Sequence, residues 1–166
     1  MLVSLGSLAA LSGCGFRPLY APEREGGTPG DPRLAAIRIN PIYERRGQVL
    51  QQELERRLHV HGTTEARYTL TTYIQLGTEL QGFRRDGSPS RIRFNYTAPY
   101  TLSTMAVPPA IVATGTAYAF DAYNIPDSQF FAGIQSANAA DRRLIELIAR
   151  DITERLTVAL RAAPGA

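Results

Sequence analysis

Arg91-Ile92-Arg93-Phe94-Asn95-Tyr96-Thr97-Ala98-Pro99-Tyr100-Thr101-Leu102 alternates without a slip. Ile92, Phe94, Tyr96, Ala98, Tyr100 and Leu102 point one way; Arg91, Arg93, Asn95, Thr97 and Thr101 point the other. Period two over this length predicts a strand with one buried and one wet face. Pro99 falls on the polar side. It has no N–H for a ladder, which predicts an edge position or a bulge.

Upstream, Leu34–Asn40 alternates around Ile37 and Ile39, a short strand ended by Pro41. The period then changes. Over Glu44–Val60, Leu50, Leu54 and Leu58 lie four apart on one helical stripe, and Glu53 can pair with Arg57. Arg67–Leu76 returns to period two, with Tyr68, Leu70, Ile74 and Leu76 together. Downstream, Pro108 and Pro109 mark a turn. Ile111–Asp121 reads as a strand whose face is not fixed by the pattern. Its small side, Ala113, Gly115, Ala117 and Ala119, suits a helix that approaches closely. Ser128–Gln135 reads as a loop. A helix is expected from Ser136 or Asn138, both suitable caps, to about Arg161. Its stripe is Leu144, Ile148, Ile152, Leu156 and Ala159, with Glu146–Arg150 and Asp151–Arg155 as surface pairs.

The element order is β-α-β-β-β-α. This is an α+β fold: a two-layer sandwich with a four-stranded, mostly antiparallel sheet and two helices on one face. The chain has 166 residues, 44% of them hydrophobic and 20% charged, enough for one domain with a core. The expected organisation is a signal peptide over 1–13, a lipidated tether over 14–32, a single domain over 33–162 and a tail over 163–166.

Chemistry is scarce. All 18 basic residues are Arg and the net charge is +3; so small an excess does not make a nucleic-acid binder. One cysteine excludes an internal disulfide and a multi-thiolate zinc site. His59 and His61 are the only histidines. At a helix end, two residues apart, they face away from one another, so no metal is expected. There is no Gly-x-Ser-x-Gly elbow, and without Lys there is no phosphate-binding P-loop. No enzymatic activity and no cofactor are expected.

Two features carry function. Met1–Gly13 is small or apolar and free of side-chain charge, and it ends in Leu11-Ser12-Gly13-Cys14. That is the pattern of a lipobox, which makes Cys14 the acylated residue. Several acyl chains give a stable membrane tether where one does not. No basic n-region precedes the apolar run, so translation is expected to start some residues upstream. Gly15, where an Asp would favour inner-membrane retention, points to the outer membrane. The second feature is basic: Arg84, Arg85, Arg91 and Arg93 flank Asp86-Gly87-Ser88-Pro89-Ser90, with Phe83 and Phe94 beside them. Arg91 and Arg93 share the polar strand face. The cluster is either a patch for anionic groups such as lipid phosphates or a solvated hairpin tip that blunts an edge.

Cys14-Gly15-Phe16-Arg17-Pro18-Leu19-Tyr20 resembles the opening of the LptE family of lipopolysaccharide-assembly lipoproteins in its alphaproteobacterial form. Ile37-x-Ile39, Glu44–Leu50, Tyr100-x-Leu102 and the stretch from Tyr123 to Ala137 are similar too. The resemblance implies a domain lying partly inside a large outer-membrane β-barrel, LptD. There it would assist barrel folding, plug the lumen and help deliver lipopolysaccharide to the outer leaflet. Basic residues near a strand end would contact lipopolysaccharide, and Arg84, Arg85, Arg91 and Arg93 match in kind. A polar sheet face suits a polar barrel interior. The alternatives are a periplasmic lipid- or solute-binding lipoprotein and an accessory lipoprotein of another envelope transport machine.

Overall fold

The computed structural model describes residues 32–58, 64–126 and 130–162. The expectations for Cys14, the tether, the tail, His59 and His61 lie outside these residues. The elements are α1 (Pro32–Ala35), β1 (Ile37–Ile39), α2 (Glu44–Leu58), β2 (Tyr68–Thr72), β3 (Gln75–Phe83), β4 (Pro89–Thr104), β5 (Ile111–Asn124) and α3 (Phe130–Ala162). The α+β class holds. The sheet has five strands rather than four, and a single helical turn precedes β1.

β4 is the spine. It pairs with β5 along one edge and with β2 and β3, end to end, along the other, all antiparallel. β1 adds to β2 in parallel, because α2 forms the crossover between them. The expected strand Arg67–Leu76 is in fact β2 and the start of β3, which continues to Phe83. The two share one register against β4, from Tyr68 opposite Thr104 to Phe83 opposite Pro89. Between the two strands, Tyr73 and Ile74 drop out of the ladder.

Pro99 explains the gap. Its carbonyl accepts the Thr72 hydroxyl at 2.9 Å, so the missing N–H faces the same edge, opposite Tyr73. Pro99 therefore lies in the central strand; the expectation was an edge position or a bulge, and instead the ladder opens around it without a register shift. Without a donor there the outer strand loses its pairing for two residues and recovers it on the same register.

The alternation of β4 survives intact. Tyr96, Ala98, Tyr100 and Leu102 are buried, and they join Tyr68 and Leu70 under the helices. Leu50, Leu54 and Leu58 are fully buried from α2. From α3 the core takes Leu144, Ile145, Ile148, Ala149, Ile152, Leu156 and Leu160; Leu160 fills the place expected of Ala159, which is half-buried. Arg46 of α2 donates to Asp141 of α3 at 2.8 Å, and Glu53 lies 2.7 Å from Arg57.

α3 begins at Phe130, so the expected loop over Ser128–Gln135 is corrected for residues 130–135. Ser136 and Asn138 sit within the helix and cap nothing. The stretch contains no proline, and one interior glycine, Gly133, costs only about 1 kcal/mol. The small side of β5 lies beneath α3 as expected: Ala117 and Ala119 are buried. A Cβ at Gly115 would come within 2.9 Å of Tyr100 Cζ, so that glycine makes room for the ring.

The helices do not cover the sheet evenly. At 1.5 Å per residue α2 is about 22 Å long, whereas β4 at 3.3 Å per residue runs about 53 Å. The far half, made of β3, the start of β4 and the end of β5, extends beyond α2 as a three-stranded arm. Leu76 and Leu80 point to the helix side there, yet are 43% and 54% exposed.

Burial raises the Tyr100 hydroxyl above its ordinary pKa of 10.0, with the Arg155 charge opposing. The folded state thus holds this proton more tightly than the unfolded chain. The stabilisation is complete below pH 10 and fades as pH climbs through the raised value. Tyr100→Phe should flatten the alkaline fall in urea midpoint; an equally steep fall would show that another group drives it.

Candidate functional site: the arginine hairpin and the open sheet face

β3 and β4 meet in a tight tip. Arg84 N–H donates to Ser88 O at 2.8 Å and Gly87 N–H to Arg84 O at 3.0 Å. Gly87 has a φ of 80°, a conformation that costs glycine little. Asp86 Oδ1 accepts the Ser88 backbone N–H at 2.9 Å and its hydroxyl at 2.7 Å. These bonds, the Ser88 hydroxyl first, hold the Asp86 carboxyl below its ordinary pKa.

The four arginines do not act as one patch. The Arg84 guanidinium is turned inward. It donates to Ser88 Oγ at 3.3 Å, to Pro89 O at 2.9 Å and to Ile125 O just beyond β5. Arg84 is thus a clamp that ties the tip to the end of β5. Arg85 stands exposed at the tip itself.

Arg91 and Arg93 lie together on the face away from the helices, as the alternation required. Arg91 donates to Asn124 Oδ1 at 3.3 Å. Arg93 lies 3.7 Å from Glu79 and stacks over the Phe120 ring at 5.2 Å. Phe83 shares this face by register, opposite Pro89. Phe94 is on the other side, against Tyr123 at 5.4 Å.

The sequence reading missed Phe120 and Tyr118. By register Phe120 is opposite Asn95 and Tyr118 opposite Thr97, so both rings join the arginine face. They are 68% and 69% exposed. A signal was present: once Ala113, Gly115, Ala117 and Ala119 go beneath a helix, Thr114, Thr116, Tyr118 and Phe120 must face outward.

Among the described residues no group of three or more His, Cys, Asp or Glu could hold a metal ion. No described helix is long and apolar enough to cross a membrane. The arrangement offers guanidinium forks, aromatic rings and neutral hydrogen-bonding groups. These are the means to bind and orient an anionic ligand.

Comparison with known proteins bears on the fold and the family. Similar solved structures include a candidate lipoprotein from Caulobacter crescentus, 23% identical, with a TM-score of 0.62 over 81% of this chain and 97% of that one. Rare lipoprotein B from Shewanella oneidensis is 10% identical, with a TM-score of 0.59 over 76% and 96%. A minor lipoprotein from Acinetobacter baumannii is 15% identical, with a TM-score of 0.58 over 78% and 94%. At these identities the likeness establishes the fold. No curated protein matches this chain. The family model described as LptE, lipopolysaccharide-assembly, matches residues 34–156. Since that span takes in every strand and most of α3, the chain belongs to the LptE lipopolysaccharide-assembly family.

Proposed function

We propose that this protein is a non-enzymatic lipoprotein subunit of the lipopolysaccharide translocon, anchored to the outer membrane through acylated Cys14. In this reading it assists assembly of an LptD-type β-barrel, plugs its lumen and helps deliver lipopolysaccharide to the outer leaflet. The single observation that carries the reading is the family match over 34–156. The uncovered face supports it, since its Arg, Asn and Thr groups suit a polar barrel lumen.

Arg85, Arg91 and Arg93 are the groups that meet lipopolysaccharide phosphates in this reading, with Arg84 holding the tip that presents them. Guanidinium forks suit phosphate oxygens better than ammonium groups do.

Mild detergent extraction of outer membranes is the test. A stable complex with a barrel of LptD type is expected, together with a triacylated Cys14 by mass spectrometry. Absence of any barrel from the purified protein would overturn the proposal. Arg91→Ala with Arg93→Ala should weaken lipopolysaccharide binding by about tenfold, equivalent to ~1.4 kcal/mol. Unchanged affinity in that double variant would remove the arginine face from the binding site.

A further inference from the structure

The open face of β4 and β5 carries two large rings that the arginine reading does not use. Tyr118 and Phe120 are two residues apart on one strand, so both rings stand on the same side. Each is more than two-thirds exposed, and exposed aromatic surface of this kind marks contact sites. Towards β4 the neighbours are neutral hydrogen-bonding groups, and on the outer edge of β5 the two rings share a shallow pocket with Leu147, Arg150, Asp151 and Glu154 of α3. Asn95 is opposite Phe120, and Thr97 is opposite Tyr118. The Asn95 amide nitrogen donates to Glu79 at 2.7 Å, which orients its carbonyl oxygen as an acceptor. At one end the Arg93 guanidinium lies over the Phe120 ring at 5.2 Å.

We propose that this face is a saccharide-binding platform, recognising a phosphorylated oligosaccharide. The inference rests on the proposed function and deepens it: it names which part of a lipopolysaccharide is held. Sugar rings have one apolar C–H face, which suits an aromatic ring, and a rim of hydroxyls, which needs amide and hydroxyl partners. Acyl chains would need a continuous aliphatic cradle, and this face of β4 and β5 offers none beside the rings: Thr, Asn, Arg, Ala and Pro99 surround them, and Ile111 stands apart at the far end of β5. Arg93 supplies the charge complementarity at the phosphorylated end.

The full chain carrying Cys14→Ser, freed of its lipid, is titrated by calorimetry with completely deacylated lipopolysaccharide. The same sugar treated with phosphatase forms a second arm. Binding of the deacylated sugar is expected, weakened about fivefold or more by Phe120→Ala and by Tyr118→Ala. Tyr43→Ala, exposed on another part of the molecule, should leave it unchanged. Phe120→Leu, which keeps apolar bulk without a ring face, should lose as much as Phe120→Ala. Phosphatase treatment should weaken binding further and by a similar factor in all variants except Arg93→Ala.

Binding of intact lipopolysaccharide but not of the deacylated sugar overturns the platform and leaves the proposed function standing. So does unchanged sugar affinity in both ring variants. Loss of barrel recovery in the ring variants, with sugar affinity intact, would make this face a protein-docking surface instead. Absence of both barrel and lipopolysaccharide binding in the native chain overturns the platform and the proposed function together.

Discussion

Leu156→Ala should lower the unfolding free energy by about 2–5 kcal/mol, the range for emptying a well-packed leucine site. Leu156 has no exposed surface and belongs to the single cluster that joins α3, α2 and the sheet. Loss of its side chain removes both the transfer free energy of the buried methyls and the contacts of the atoms left lining the void. A domain of this size has a total stability of about 5–15 kcal/mol, so the variant should be visibly weakened at growth temperature. Val158→Ala, two residues on, is the comparison. Val158 is 60% exposed, and alanine has the better helix propensity by about 0.5 kcal/mol. Its urea midpoint should be unchanged or slightly higher. Equal losses in the two variants would mean that the buried stripe is not the one described.

The second large effect concerns Gly47. The chain enters α2 through a sharp turn in which Glu44 has a φ of 67°, a conformation strained for a side-chain-bearing residue. That turn folds Ile42 back over the first helical turn. A Cβ on Gly47 would lie 2.6 Å from Ile42 Cγ2 and 3.0 Å from the Ile42 carbonyl oxygen. Gly47→Ala sets two effects against each other. Helix propensity favours alanine by about 1 kcal/mol, while overpacking against backbone costs about 1–3 kcal/mol. The clash should win narrowly, with a net loss of about 1 kcal/mol. Gly47→Leu has no such compensation and should cost about 3 kcal/mol or more. Thermal unfolding of the two variants measures this; a stabilised Gly47→Leu would show that Ile42 is free to move aside.

The layered class, the covered face of β4 and the α2 stripe were legible because a sheet repeats every two residues and a helix every 3.6. Those periods leave their mark wherever one face is buried. β3 lacked that mark. It lies beyond the reach of α2, so neither face is buried and its residues carry no consistent alternation. The start of α3 was hidden for a related reason. Its first turns bury little, and Ser136 and Asn138 offered apparent caps. At the site, the sequence brought the four arginines to one loop, but adjacency along the chain does not fix direction. Arg84 lies outside the strands, free to turn inward to the Pro89 and Ile125 carbonyls. Arg91 and Arg93 are held by strand alternation. Phe120 reached Arg93 only through the pairing of β5 with β4, information that no single segment holds.

Pro99 marks the point where the outer strand changes from the buried β2 to the exposed β3. On one side of it β2 lies under the helices with Tyr68 and Leu70 buried; on the other, β3 has no buried residue, and only its neighbours Tyr96 and Ala98 of β4 still reach the core. Amide exchange should therefore be slow at Leu70 and Leu102 and fast along Leu76–Phe83, with the boundary at Tyr73. Opening the arm need not unravel the core. The hairpin that bears Arg85 can adjust to a rigid partner at little energetic cost while the rest of the domain stays folded.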